Sequence, residues 1–438
     1  MPRKGPQAAG WRRELGAALR DKSAKVGVIG LGYVGLPMLV TAARAGFPAV
    51  GVDLDHARVD AIRHGRSYIS DVTDAVLRES GVRAAGRYSA LKDRDVVLIC
   101  VPTPLDDGNP DLRFIEGAGR GLAKVLRPGV LVILESTTYP GTTEEVLRPI
   151  LETSGLRAGR DFALAYSPER IDPGREPDHV AKTPKVVGGL TKADGELAAR
   201  FYRSFVHEVE LVSSPREAEM AKLIENTFRH VNIALMNELA ILSKDLDVDL
   251  WEAIRAAATK PFGFMAFWPG PGVGGHCIAI DPSYLSWRVG QQSGHRLNFV
   301  EHAQEVNARM PGFVAQRVAQ ALNEHGKPVR GSKVLGVGVT YKPDVNDMRE
   351  SPALAVLERL AAEGATIVYH DPYVPSLEID GKTLRSKKLT PSLLSGVDVA
   401  VVLAAHSAVD FGEVVKHAPL VFDTRGVTRG KRSNVVRL

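Results

Sequence analysis

Two kinds of periodicity divide the chain. From Ala24 onward, short runs of Val, Ile and Leu alternate with longer stretches of helical character. The runs at 25–30 (KVGVIG), 49–55 (AVGVDLD), 95–102 (DVVLICVP) and 131–137 (LVILEST) are apolar at consecutive positions. That is the pattern of parallel strands covered on both faces. The stretches between them suit crossover helices, so residues 23–206 are expected to form a doubly wound α/β domain. Between Arg216 and Leu246 neither Gly nor Pro occurs, and Met220, Ile224, Phe228, Val231, Leu235, Leu239 and Leu242 recur at helical spacing. A second helix is expected in VDLWEAIRAAAT (248–259). This middle section, 207–325, can link two domains or bury a dimer seam. After Lys327 strand-like runs return at 332–339, 365–371, 397–405 and 420–426, predicting a second sheet within 326–438. The expected fold is α/β: two Rossmann-like doubly wound domains joined by a helical middle domain.

Composition narrows the classes. A chain of 438 residues suits two or three domains, and 44% apolar with 24% charged residues is globular in character. The net charge of +5 comes without a basic block interleaved with aromatics, so no nucleic-acid partner is expected. No run approaches the roughly 20 apolar residues of a membrane span, and the N-terminus lacks the apolar run of a signal peptide. The two cysteines form no CxxC, which disfavours a disulfide framework and a zinc site and suits a reducing cytoplasm. Residues 1–22, with Arg3, Lys4, Arg12, Arg13 and Arg20, read as a basic, poorly ordered extension.

The first candidate chemistry is GLGYVG at 30–35. Gly30, Gly32 and Gly35 have the G-x-G-x-x-G spacing, follow a strand and open a helical stretch. Asp53 ends the next strand 18 residues after Gly35. That context is the dinucleotide fingerprint: a tight turn at Gly30, close pyrophosphate approach at Gly32, helix–strand packing at Gly35. Asp53 would accept from ribose hydroxyls and repel a 2′-phosphate, favouring NAD over NADP. GVGVTY at 336–341 lacks the third glycine, so the second sheet is expected to bind a different nucleotide.

The second is PGPGVGGHCIAID at 269–281. Asp281 and Pro282 read as the N-cap and first residue of a helix, which puts Cys277 just ahead of a helix N-terminus favourable to thiolate. With NAD, a thiolate can add to an aldehyde, give up hydride from the thiohemiacetal and leave a thioester for hydrolysis. A buried structural thiol is the alternative, and it is the reading given to Cys100. Asp281 is either a plain cap or a catalytic group, and spacing leaves the two open. Lys222 and Asn226, four apart on the long helix, read by spacing as a solvated face. They could instead serve an oxyanion and a proton shuttle.

Together GLGYVGLP, VPTPL, ESTTYPGTTEE, SPERIDPG, AEMAKLIENTF, GVGGHCIAID, VTYKPDVNDMRESPA and DTRG run in one order from about residue 25 and resemble the UDP-glucose/GDP-mannose dehydrogenase family. The resemblance implies two hydride transfers that take the C6 alcohol of a nucleotide sugar to a carboxylate. It makes Cys277 the nucleophile, with Lys222, Asn226, Asp281, Glu169 and Thr137 catalytic. It extends the cofactor set to Tyr33, Val34, Arg58, Thr103 and Thr137. On the sugar-nucleotide side it implies Glu169, Arg170, Lys222 and Asn226, and further along the chain Phe264, Gly274, Lys342 and Arg425. A homodimer or higher homo-oligomer through the middle helices is implied as well. Within the family, ESTTYPGTTEE, SPERIDPG and the loop before Cys277 look most like enzymes that oxidise UDP-N-acetylglucosamine, with UDP-N-acetylmannosamine and UDP-glucose as alternatives. Ala279, where proline is common, and AAHS (404–407), which lacks the acidic residue often found before His406, depart from the pattern. The first is expected to loosen the loop. Two other readings compete: a two-electron hydroxy-acid dehydrogenase with a structural Cys277, and a nucleotide-binding regulatory protein without turnover.

Overall fold

The computed structural model describes residues 10–69, 71–170, 179–428, 430 and 432–438, without the side chains of 179, 180, 276 and 277. It divides into two compact units, Met1–Glu225 and Asn226–Leu438.

The first unit is built on an eight-stranded sheet. Its order is Val209–Val212, Lys185–Gly189, Ala163–Tyr166, Leu131–Leu134, Val96–Ile99, Val26–Ile29, Ala49–Val52 and Arg83–Ala85. All neighbours are parallel except Ala163–Tyr166 against Lys185–Gly189. Alternate residues of each strand enter different cores. Val26, Val28, Leu98 and Ile133 pack with Leu36 and Leu39. Ile29, Val97, Val132 and Leu134 pack with Ile115, Leu122 and Leu147. Two covered faces are why the strands read as unbroken apolar runs. The chain leaves Val26–Ile29 for one side and Val96–Ile99 for the other, so the strand order reverses between them and opens a crevice at their C-terminal ends.

Residues 10–20 are not the poorly ordered extension expected from their charge. Gly10–Arg20 is a helix burying Trp11, Leu15 and Leu19. Trp11 Nε1 donates to the Arg160 carbonyl at 3.1 Å, and Arg12 pairs with the fully buried Asp194 at 2.9 Å. Burial raises the Asp194 carboxyl above its ordinary value, opposed by the Arg12 guanidinium. The basic residues spread round the helix concealed an apolar stripe at four-residue spacing.

The second unit carries a parallel sheet in the order Thr366–His370, Lys333–Val337, Val399–Val402, Val421–Asp423 and Val435–Arg437. It too has a core on each face, one around Val334, Leu357 and Val401, the other around Leu335, Val337 and Val402. The helices Leu250–Ala257, His276–Ser293 and Asn298–Glu324 precede that sheet.

The long helix, Pro215–Ser243, is present where periodicity placed it, with the opposite face inward. Ile224, Phe228, Leu235, Leu239 and Leu242 are exposed. Glu219, Lys222, Asn226, His230 and Asn237 are buried, so the solvated face that spacing alone suggested is the covered one. A second difference concerns Cys277. The helix starts at His276, with Gly275 as its N-cap, and Pro282 lies inside it. Asp281 is therefore in the second turn and caps nothing, while Cys277 occupies the first turn.

Trp11→Ala is expected to cost about 3 kcal/mol of unfolding free energy, measured by urea denaturation. A loss under about 0.5 kcal/mol would be that of a surface substitution and would contradict the docked helix.

Candidate active site

In the first unit, the glycine turn closes on the crevice. Gly30 has φ +86°, and a Cβ there would lie 2.5 Å from the Cys100 carbonyl oxygen. A Cβ on Gly35 would meet the Gly30 carbonyl oxygen, whereas one on Gly32 meets nothing closer than Arg58 at 3.9 Å. The turn is thus packed tight at its ends and open at the middle, the space a pyrophosphate needs at the start of the helix Gly35–Arg44. Asp53 is buried; its Oδ2 accepts from the Leu31 N–H at 2.8 Å and faces Arg58 at 3.3 Å. It therefore holds the turn in shape as well as marking the ribose end. Tyr33 is exposed at this mouth, Val34 is half-buried, and Thr103 is buried beyond the neighbouring strand.

Further along the same sheet edge, Glu169 is buried just after Ala163–Tyr166. Lys222 Nζ donates to its main-chain oxygen, and Lys185 Nζ lies 3.3 Å from its carboxylate. Arg170 pairs with Glu225 at 2.6 Å and donates to the Pro184 carbonyl at 2.7 Å. Thr137 is half-buried after Leu131–Leu134, in the segment that Glu219 fixes. The Glu219 carboxylate accepts from the N–H of Gly141 and, at 2.9 Å and 2.7 Å, from the N–H and hydroxyl of Thr143.

In the second unit, Asn226 Nδ2 donates to Asp281, and Arg229 donates to Asn226 Oδ1. Both Asn226 and Asp281 are buried. Cys277 stands one helical turn before Asp281, in the first turn of the helix, where the dipole favours an anion; its side chain lies outside the described residues. The preceding loop is shaped by close approach. Gly275 has φ +80° and would drive a Cβ to 2.6 Å from the Tyr341 ring. A Cβ on Gly274 would sit 2.5 Å from the Glu350 carbonyl oxygen, and one on Gly270 would sit 2.6 Å from Arg425. Asn237 accepts from the Gly270 N–H at 2.9 Å and donates to Asn307, pinning the loop from beneath. Phe264 is exposed ahead of it.

Arg425 donates Nε–H to the Leu403 carbonyl at 2.7 Å. Burial draws its guanidinium down to about 10 despite Asp423, a cost that an anionic ligand would relieve. Lys342 lies in the loop after Lys333–Val337, which His406 anchors. His406 is fully buried; Nδ1 accepts from the Asp344 N–H at 3.0 Å, so Nε2–H faces Asp371 at 3.0 Å.

Lys185, Glu135, Tyr202, Glu219, Asn237 and Asn307 escaped the sequence reading. Only Glu219 carried a usable signal, sitting three residues before Lys222 on the same helix.

A dinucleotide turn on one sheet, a first-turn cysteine one helical turn from a buried aspartate, and a cation-lined loop on a second sheet define an NAD-linked dehydrogenase of nucleotide-bound substrates. Its family is matched segment by segment: the NAD-binding domain of the UDP-glucose/GDP-mannose dehydrogenase family over 24–206, its central domain over 216–309 and its UDP-binding domain over 335–430. The chain belongs to that family, and it is an NAD-dependent UDP-sugar dehydrogenase. It is 36% identical over 418 residues to Protein CapL of Staphylococcus aureus, covering 94% of this chain and 97% of that one. It is 37% identical over 399 residues to a UDP-N-acetyl-D-mannosamine dehydrogenase of Campylobacter jejuni, covering 87% and 95%. The solved UDP-D-ManNAc dehydrogenase of Pyrococcus horikoshii superposes with a TM-score of 0.85 at 33% identity, covering 94% and 98%. Among the described residues no helix is long and apolar enough to cross a membrane, and no group of three or more metal-ligating side chains occurs.

Burial pushes the Glu219 carboxyl from 4.5 up to about 7, against its three donors. Below pH 4.5 the group is protonated in both states and costs nothing. Between 4.5 and about 7 the unfolded chain releases the proton first, so folding loses stability through that window. The stability of the wild type relative to Glu219→Gln is expected to fall by about 3 kcal/mol from pH 5 to pH 8, read by urea denaturation at each pH. A constant difference would mean that Glu219 is ionised throughout.

Proposed function

We propose that the protein oxidises the C6 alcohol of a UDP-N-acetylhexosamine to the uronate, with UDP-N-acetylmannosamine the first substrate to test. The carrying observation is the placement of Cys277 in the first turn of its helix with Asp281 one turn on and held by Asn226. The likeness to the Campylobacter and Pyrococcus UDP-N-acetylmannosamine dehydrogenases moves UDP-N-acetylmannosamine ahead of UDP-N-acetylglucosamine, which the motifs before Cys277 had favoured. UDP-glucose comes third.

Bound NAD supplies the hydride acceptor for each of the two oxidations. Lys222, Asn226 and Asp281 hold the oxyanion and the water proton, while Cys277 forms and releases the thiohemiacetal and thioester. Glu169 and Thr137 orient the hydrolytic water. Arg425 and Lys342 meet the diphosphate, and Gly274 with Phe264 admits the sugar. The exposed apolar face of Pro215–Ser243, from Ile224 to Leu242, supports a homodimer in which a second copy covers it. The reaction belongs to a reducing, cytoplasmic setting in which Cys277 stays a thiol.

With UDP-N-acetylmannosamine, two NADH per sugar are expected from absorbance at saturating NAD. One NADH per sugar, with aldehyde as the product, would sink the four-electron reading. Cys277→Ser is expected to abolish net turnover, whereas a small change would restore the hydroxy-acid reading. If the wild type binds NAD and UDP-sugars and makes no NADH from any of them, the regulatory reading takes over. Arg425→Ala is expected to raise KM for the UDP-sugar roughly 10- to 100-fold while leaving KM for NAD unchanged. An unaltered sugar KM would remove Arg425 from the substrate site.

A further inference from the structure

Behind Glu169 lies a set of ionisable groups that no step above uses. Lys185 is buried on the strand Lys185–Gly189, with its ammonium 3.1 Å from Glu135 and 3.3 Å from Glu169. The other oxygen of Glu135 accepts from the Tyr202 hydroxyl, on the helix Lys192–Tyr202. Tyr202 and Lys185 thus both donate to Glu135, and Lys185 also donates to Glu169. Glu135 has no exposed side-chain surface, whereas 10% of the Glu169 side chain is exposed. Glu169 is thus the end of the chain that reaches toward a ligand. Two further ionisable groups lie close: the Cys100 thiol, which feels the charges of Glu135, Lys185 and Glu169, and Lys222, which donates to the Glu169 main-chain oxygen.

Charge explains the arrangement. Two carboxylates and the Lys185 ammonium leave one negative charge in excess, with the Lys222 ammonium beside the Glu169 main chain to offset it. Burial raises Glu135, opposed by Lys185; burial alone would depress Lys185, yet the two carboxylates carry it above its ordinary value. Burial also lifts Cys100 and Tyr202 well above their ordinary values, so both remain protonated and add no charge. An ammonium shared between two carboxylates holds both at fixed positions. Loss of the ammonium would remove one of the contacts that hold the Glu169 carboxylate.

We infer that Lys185, together with Glu135 and Tyr202, is a positioning device that fixes the Glu169 carboxylate for the water-dependent half of the reaction. The inference rests on the role proposed above for Glu169. It assigns Lys185 no contact with substrate: the lysine acts through Glu169, from one side, as Lys222 holds the main chain from the other.

Removing the lysine alone strands two buried carboxylates, which a fold tolerates badly. The test therefore uses Lys185→Met combined with Glu135→Gln, which removes one charge of each sign, beside the single Lys185→Met. For the folded double variant, kcat with the UDP-sugar is expected to fall roughly 10- to 100-fold, while KM for sugar and for NAD stays within about threefold of wild type. A purely structural role would spread the loss over KM and stability. A folded double variant with wild-type kcat, or one whose loss lies in KM, overturns the inference. Crystal structures of the wild type and the double variant decide it without turnover. The Glu169 carboxylate is expected in a new rotamer with the Lys222 contact to its carbonyl retained, and an unmoved carboxylate overturns the inference. A wild type that oxidises no UDP-sugar would instead end the functional reading, with the crystal comparison still deciding this one.

Discussion

A helix that buries glutamate, lysine and asparagine side chains strips them of water, and each must recover its hydrogen bonds from a fixed partner. Pro215–Ser243 is such a helix. Glu219 recovers them from the Gly141–Thr143 backbone, Lys222 from the Glu169 carbonyl, Asn226 from Asp281 and Asn237 from Asn307 and Gly270. These partners are the segments carrying the proposed catalytic and substrate groups. Each of these buried side chains of the helix is thereby tied to one of these segments.

The same requirement explains the exposed face. With its polar positions directed inward, the helix has Ile224, Phe228, Leu235, Leu239 and Leu242 left for the outside. Five large apolar side chains on one helix are more than the single exposed apolar residues scattered over an ordinary surface. Periodicity detects that a stripe exists and carries no information about what covers it. Inferring a solvated face for Lys222 and Asn226 failed for that reason: both are buried.

What was legible depended on sequence distance. Gly30, Gly32, Gly35 and Asp53 act within one strand–helix–strand unit, so their spacing alone specified the turn, the helix and the cofactor class. Both sheets were legible because strands covered on two faces are continuously apolar. Lys185, Glu135 and Tyr202 were not, since Lys185 meets Glu135 across 50 residues and Tyr202 meets it across 67. Gly10–Arg20 had a readable stripe in Trp11, Leu15 and Leu19, outweighed by its arginines. The start of the Cys277 helix was misplaced by a true rule applied to the wrong residue. Proline favours the first helical position, and Pro282 suggested one, but the chain turns into the helix at Gly275, whose positive φ is the stronger boundary.

That boundary changes the meaning of Ala279. As a loop residue it was expected to loosen the approach to Cys277. In the helix His276–Ser293 it stands at the fourth position, the first whose N–H can reach an acceptor within the turn, and alanine is the residue that favours helix most. A proline there would forgo that bond. Pro282, three residues later, already removes the N–H that would serve the Ile278 carbonyl. Two prolines would leave the start of this helix short of two backbone bonds; one alanine restores the first. Ala279 thus keeps a backbone bond that a proline would forgo, the opposite of the loosening expected of it in a loop.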